Sequence, residues 1–458
     1  MINYKKYFLL DDQFVNNRFF NLTALAAIIV SIYSLTAFFP GAMTWDSLDQ
    51  LRQARTGTYT DWQPPTMAFV WSLLLHVSDG PGAMLIFHFI LLWGTSLTLF
   101  KWSIREGYRL GFLFLILPIL PWIMNFQFTL WKDIGMAYSW GLSISICIYF
   151  RGQGKFPKFA AALAISLFLY GALVRSNSLS AGIFLMAFLF ASIFNVNSMK
   201  STLGFMILGM VTIVLAHISV GALLTAQKAN PVSYVLFDDV VALKLQGVDI
   251  PVSFLTPVDM ETIKHCEYLQ AHEVGAAFCI PDEKFIAITR EHYAELKAVW
   301  LMSIPQHFSI YAKFRLNAFL NLIRSPTMAP YYYSEFTVKN EPFTVSSGNR
   351  EVSAQESLVK NYITTSQNIV PELFKPYTWI IISIGLVLAL CLSTHAKGTS
   401  LWLLPLSGLS YMISYLPIAP AADFRYAYWM CFIASLAFVM LVNIQSKKTI
   451  EHDTSNTV

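Results

Sequence analysis

The chain has 458 residues, of which 55% are hydrophobic, 15% aromatic and only 13% charged, about half the charged fraction of an ordinary soluble protein. That balance excludes a soluble globular domain and implies an integral membrane protein. The net charge of +4 is small and spread along the chain, so it gives no reason to invoke nucleic acid.

An apolar run of about twenty residues crosses a ~30 Å hydrocarbon layer as a helix, and the sequence offers about ten of them. In chain order they are Phe19–Pro40, Ala83–Phe100, Leu110–Leu130, Ile134–Phe150, Phe159–Val174, Ser178–Phe194, Leu203–Leu224, Tyr377–Leu392, Leu401–Ile418 and Tyr426–Ile444. The expected fold class is an all-α polytopic membrane protein. Runs containing Pro118, Pro121, Pro405 and Pro417 should be kinked or broken. The first run lacks a small-residue cleavage site and is too long for the apolar region of a signal peptide, so it reads as a retained helix.

Lys and Arg in the short loops set the expected orientation. One set of connections carries Lys5, Lys6, Arg18, Lys101, Arg105, Arg109, Arg151, Lys155, Lys158, Lys200, Lys397, Lys447 and Lys448; the other carries Arg52, Arg55, Lys132, Arg175 and Arg425. The first set is expected to be cytoplasmic, together with both termini. Three parts follow: a membrane core over 1–224 with a first external loop at 41–82, an external module over 225–376 between the seventh and eighth helices, and C-terminal helices with a short cytoplasmic tail over 377–458.

In the external module, Cys266 and Cys279 are a disulfide candidate if the compartment is oxidising; closing so short a loop contributes about 3 kcal/mol by chain entropy. Cys147, Cys391 and Cys431 lie in apolar runs and read as small hydrophobes. Pro281 followed by Asp282 and Glu283 starts a helix of about five turns. The run from Ile304 to Arg324 puts Phe308, Tyr311, Phe314 and Phe319 towards one side, which suits a helix in the membrane interface or one covering the module's own core. From Ser325 to Lys375, including Ala329–Phe336, the composition is that of a surface loop, or of a loop that closes over a site.

Apart from Cys and Tyr, the ionisable groups inside the ten runs are His88 and His217. Pumps keep carboxylates or cations in their spans, so a transporter of lipid-linked sugars is the weakest reading. Charged residues gather instead at the outer helix ends. Asp46 could cap a helix starting at Ser47, Asp133 the fourth helix and Asp423 the last, while Lys132, Arg175, Arg425 and Tyr426 could hold headgroups. Trp62 with Pro64 and Pro65 would fix the return of the first loop at the headgroup plane. Taken together, acids and cations on one outer surface suit chemistry on a lipid-linked phosphate: cations bind the phosphate and a carboxylate serves as general base on an acceptor hydroxyl.

The order of these elements resembles the GT-C superfamily of polytopic glycosyltransferases that use polyprenyl-phosphate sugars, such as protein O-mannosyltransferases and aminoarabinose transferases. The resemblance rests on Trp45-Asp46-Ser47 with Gln50, Asp61-Trp62-Gln63-Pro64, Lys132-Asp133, Arg175-Ser176-Asn177 and Arg425-Tyr426. It implies an inverting glycosyltransferase of the bacterial inner membrane with its site on the periplasmic face. Asp46 would be catalytic base, Asp133 would position the acceptor or a divalent metal ion, and Lys132, Arg175, Arg425, Tyr426 and Gln63 would bind substrate and phosphate. The implied partners are a polyprenyl-phosphate sugar donor, a glycan or lipid-linked glycan acceptor and membrane lipids. Many relatives carry an Asp-Glu pair, or a His before Pro, in the first loop; this chain has Asp46-Ser47 and Gln63-Pro64. An O-antigen-type polymerase or ligase is the alternative, since it also combines many helices, a large external loop and outer arginines.

Overall fold

The computed structural model describes residues 5–196, 198–324, 336–338, 345–347, 353–393 and 399–455. Among the described residues the secondary structure is helical apart from the short antiparallel pair Phe336–Val338 and Val345–Ser347 and two isolated bridges. Among the described residues, five helices are long and apolar enough to cross a membrane: Asn21–Phe38, Gly82–Arg105, Ser176–Ile193, Met199–Leu223 and Phe424–Ser446. The apolar helices Lys158–Leu173, Pro376–Leu392 and Leu403–Ile413 are shorter, and Lys132–Phe150 is buried along nearly its whole length. These helices share one large apolar core.

The expected third span is not one helix. Leu110–Leu130 is helical only over Leu113–Ile116 and Pro121–Met124, with a tight 3₁₀ turn at Leu117–Ile119 between them. Pro118 and Pro121 explain the break, because each lacks the N–H that an α-helix needs and crowds the preceding turn. The segment still runs between the two ends of the bundle. Leu110 accepts from Asn443 near the end of the last helix, while the carbonyl of Leu130 accepts from Ser47 at 2.7 Å. Ala42 N donates to the carbonyl of Phe128 at 2.8 Å and Leu130 N to that of Ala42 at 3.1 Å, which satisfies non-helical backbone buried among apolar side chains.

A second, separate apolar core lies within residues 236–304, built on Leu236, Phe237, Val240, Ile263, Ile288 and Leu296. Its expected five-turn helix is two helices, Asp282–Arg290 and Tyr293–Gln306. They meet where Glu295 accepts from the Ser253 N–H at 2.6 Å. The helix Phe308–Arg324 turns Arg315, Ala318 and Leu322 inward and leaves Phe308 exposed. Arg315 pairs with buried Asp239 at 2.6 Å and also donates to the carbonyls of Val235 and Ala419.

Half-buried Trp62 packs edge-on to Phe285, 6.1 Å between ring centres, against this second core. The stretch expected to be a loop before Lys375 contains the helix Ala354–Ile369, with Ser353 capping it by accepting from Glu356 N. Residues 325–335 of that stretch lie outside the described residues.

Candidate active site

Asp46 sits one residue inside a helix rather than at its cap. The helix Trp45–Thr56 begins with extended Thr44 at the capping position, so Asp46 falls in the first turn, where the helix dipole favours a negative charge. Two contacts fix this helix start: Ser47 Oγ on the Leu130 carbonyl and Trp131 Nε1 on Thr44 Oγ1 at 2.9 Å. Gln63 Nε2 donates to Asp46 Oδ1 at 2.9 Å and is itself held by Gln50 at 2.6 Å. On the other oxygen, Arg425 Nη1 reaches Asp46 Oδ2 at 3.0 Å.

Arg425 belongs to the 3₁₀ turn Phe424–Ala427, which Asp423 caps by accepting from the Arg425 N–H at 2.9 Å. Its guanidinium lies between two rings, 4.9 Å from the centre of Trp131 and 5.0 Å from that of Tyr426, a cation–π arrangement that fixes a planar cation better than it would fix an ammonium. Its Nε lies 3.2 Å from Asp423 Oδ2. One cation is thus shared by two carboxylates.

Asp133 follows the same pattern. It stands in the first turn of Lys132–Phe150, not at the cap, and pairs with Arg175 at 3.2 Å; their side chains are 2% and 10% exposed. Arg175 also donates to the Tyr415 hydroxyl, which lies 3.1 Å from that of Tyr411. Arg175 Nε and Asn177 Nδ2 are buried without a hydrogen-bond partner among the described residues. Lys132 makes no ion pair within 4.0 Å among the described residues, although Asp46 and Asp133 both act on its charge. Burial and the neighbouring Arg175 charge pull its ammonium down to about 8, against the opposing pull of those two acids. Burial would raise the Asp46 carboxyl, but Arg425, Lys132 and Arg175 more than offset it and hold it below its usual value. Burial raises Asp423.

The site residues expected from sequence therefore form one cluster. Asp46, Gln63, Lys132, Asp133, Arg175, Arg425 and Tyr426 come from stretches far apart in the chain and meet at one end of the bundle. Cys266 and Cys279 stand apart from that cluster and are joined as a disulfide. Sequence reasoning missed Trp131, Tyr411 and Tyr415. The signal for the tyrosines was their four-residue spacing, which puts both on one helix face, but that spacing is shared by ordinary core residues. His217 is satisfied by the Ala172 carbonyl at 3.0 Å. His88 is fully buried with neither ring nitrogen bonded among the described residues.

No group of three or more His, Cys, Asp or Glu that could hold a metal ion occurs among the described residues. Asp133 is paired with Arg175 and sits beside Lys132, a positively charged setting that does not fit a divalent cation. What the cluster suits is an anion: it holds an unpaired ammonium, a guanidinium with a free N–H and an amide donor around a carboxylate that stays ionised. No family model, curated protein or solved structure matches the chain.

Proposed function

We propose that the protein is a membrane glycosyltransferase of GT-C type that moves a sugar from a polyprenyl-phosphate donor to a hydroxyl of a cell-envelope glycan. In this reading about ten segments cross the bacterial inner membrane, both termini are cytoplasmic, and residues 225–376 form a periplasmic module beside the site. The observation that carries the reading is the convergence of three carboxylates, Asp46, Asp133 and Asp423, with three cations, Lys132, Arg175 and Arg425. They meet at one end of an apolar helix bundle, where a lipid phosphate and a water-borne hydroxyl can come together.

The acceptor oxygen attacks the anomeric carbon from the face opposite the phosphate, and its proton passes to Asp46. The carbon–oxygen bond to the phosphate breaks, its electron pair stays on the polyprenyl phosphate, and Lys132, Arg175 and Arg425 hold that developing charge. Asp133 keeps the Arg175 guanidinium oriented. Phosphate and Asp46 compete for Arg425, so donor binding withdraws the cation that holds Asp46 at low basicity. The base is thereby strengthened when the donor arrives.

The test is Asp46→Asn in a strain whose envelope glycan is profiled. The expected result is loss of one sugar residue from the glycan at a normal level of the protein. Unchanged modification overturns the assignment, and a glycan that loses chain length or attachment points instead to a polymerase or ligase.

A further inference from the structure

A cleft of about 210 Å³ lies between the first loop and the second core. Asp49 and Arg52 line it from the helix Trp45–Thr56, Thr60 and Trp62 from the loop that follows, and Thr289 and Arg290 from the helix Asp282–Arg290. Asp49 stands three residues beyond Asp46 on one helix, about 4.5 Å along its axis. Trp62 directly precedes Gln63, which holds Asp46 at 2.9 Å. The cleft therefore begins one helical turn from the proposed base.

Hydrogen bonds across the junction fix its two walls. Gln227 N donates to the Tyr59 carbonyl and Asp61 N to that of Gln227, both at 2.9 Å, and Asn230 continues the link to the Thr289 carbonyl at 2.9 Å. Thr60 N donates to Gln53 at 3.1 Å, which ties the loop back to the helix of Asp49. A pocket preformed in this way loses little freedom when it is filled. Its lining combines three kinds of contact. Half-buried Trp62 supplies a flat apolar ring whose N–H donates to nothing among the described residues. Asp49 accepts from Arg52 on one oxygen and from Gln53 at 2.7 Å on the other, and each oxygen keeps a second lone pair for a hydroxyl. Arg290 is exposed and makes no ion pair among the described residues, so the cleft carries one positive charge more than Asp49 and Arg52 cancel between them.

We propose that this cleft binds one acidic sugar residue of the acceptor glycan, with its C–H face on the Trp62 indole, its hydroxyls on Asp49 and its carboxylate on Arg290. A sugar ring has an apolar face and a polar rim, and an indole beside hydroxyl acceptors matches both; a guanidinium matches a carboxylate. That the sugar is an acceptor rests on the reading of the charge cluster as a transfer site, whereas its binding rests on the cleft alone.

Saturation-transfer NMR on the full-length protein in phosphatidylcholine nanodiscs measures the binding of four probes, the methyl glycosides of glucuronic and galacturonic acid and of their neutral counterparts glucose and galactose. At least one uronide should bind about tenfold more tightly than its neutral counterpart, the scale of one charge-assisted hydrogen bond. Arg290→Gln should abolish that preference and Arg290→Lys restore part of it. Trp62→Ala should weaken the uronide and the neutral sugar alike, and Trp62→Phe, which keeps a ring against Phe285, should retain most of the affinity. Binding of neither uronide, equal affinity for acidic and neutral sugars, or affinities unmoved by Arg290→Gln and Trp62→Ala overturns the assignment. If a uronide binds as expected while Asp46→Asn leaves the envelope glycan unchanged, the sugar site stands and the transfer reading falls. If no uronide binds while Asp46→Asn removes a sugar from the glycan, the cleft assignment falls alone.

Discussion

Lys132 is the cluster's cation left outside ion-pair distance of a carboxylate among the described residues, and burial holds its ammonium near 8. A lysine with its folded value lowered keeps its charge only below that value. If it anchors the donor phosphate, kcat/KM should fall as pH rises through about 8, because the free protein then loses the cation. Lys132→Arg should carry that fall to higher pH, since guanidinium does not deprotonate in this range; a falling limb unmoved by the substitution would remove Lys132 from the phosphate site. Arg425 works differently, wedged between Trp131 and Tyr426 and shared by Asp46 and Asp423. Its removal as Arg425→Gln should lower kcat by roughly 10²–10³-fold, the scale for one lost preorganised charge at a developing anion. A loss confined to KM would show that Arg425 binds donor and transition state equally. These charged residues were legible in the sequence because an acid or a cation at the foot of an apolar run needs a reason. Trp131, Tyr411 and Tyr415 were not, because aromatic residues are common in apolar segments, and only packing shows the Trp131 ring against Arg425 and the Tyr415 hydroxyl accepting from Arg175 with Tyr411 beside it.

The elements follow the sequence where one period dominates and depart from it where a local signal competes. The long apolar runs became helices because nothing interrupts them, whereas Pro118 and Pro121 broke the third, and its freed backbone groups bond to Ala42 instead. The helix Ala354–Ile369 was hidden by its polar composition, although Ser353 with Glu356 three residues on, and Val359 with Ile363 on one face, are a start signal and a stripe. The pair Asp239 and Arg315 could not be read from sequence at all, since the partners are far apart in the chain and each reads alone as a surface charge. Both are nearly inaccessible, 0% and 3% exposed. Arg315→Met should lower unfolding stability by about 3–5 kcal/mol, because it strands a buried carboxylate. Asp239→Leu combined with Arg315→Met should recover most of that, as paired apolar replacements do. Thermal unfolding followed by tryptophan fluorescence distinguishes the two, and equal losses would show that the contacts to Val235 and Ala419 matter more than the charge pair.

At the scale of the whole molecule, the two ends of the bundle carry different chemistry. At one end Arg105 donates to the Tyr149 carbonyl at 2.7 Å and Arg151 to that of Thr399, gathering basic loops with few acids. At the other lie the mixed charge cluster and, against it, the second core with its disulfide. The fastening between core and bundle runs through Arg315 on Ala419 and Tyr234 on Pro420, both just before the turn that carries Arg425, so the second core also sets the position of a site cation. Basic loops tend to stay cytoplasmic and disulfides persist in oxidising compartments, so the proposed orientation would satisfy both tendencies at once. Thr58, Lys155 and Lys228 are exposed, and single cysteines introduced there should report it. With a membrane-impermeant maleimide on intact spheroplasts, Thr58→Cys and Lys228→Cys should label at once, and Lys155→Cys only after the membrane is opened. The reverse pattern would put the charge cluster on the cytoplasmic face, where nucleotide-activated sugars are available. Transfer from a polyprenyl-phosphate donor across the outer face would then have to be abandoned.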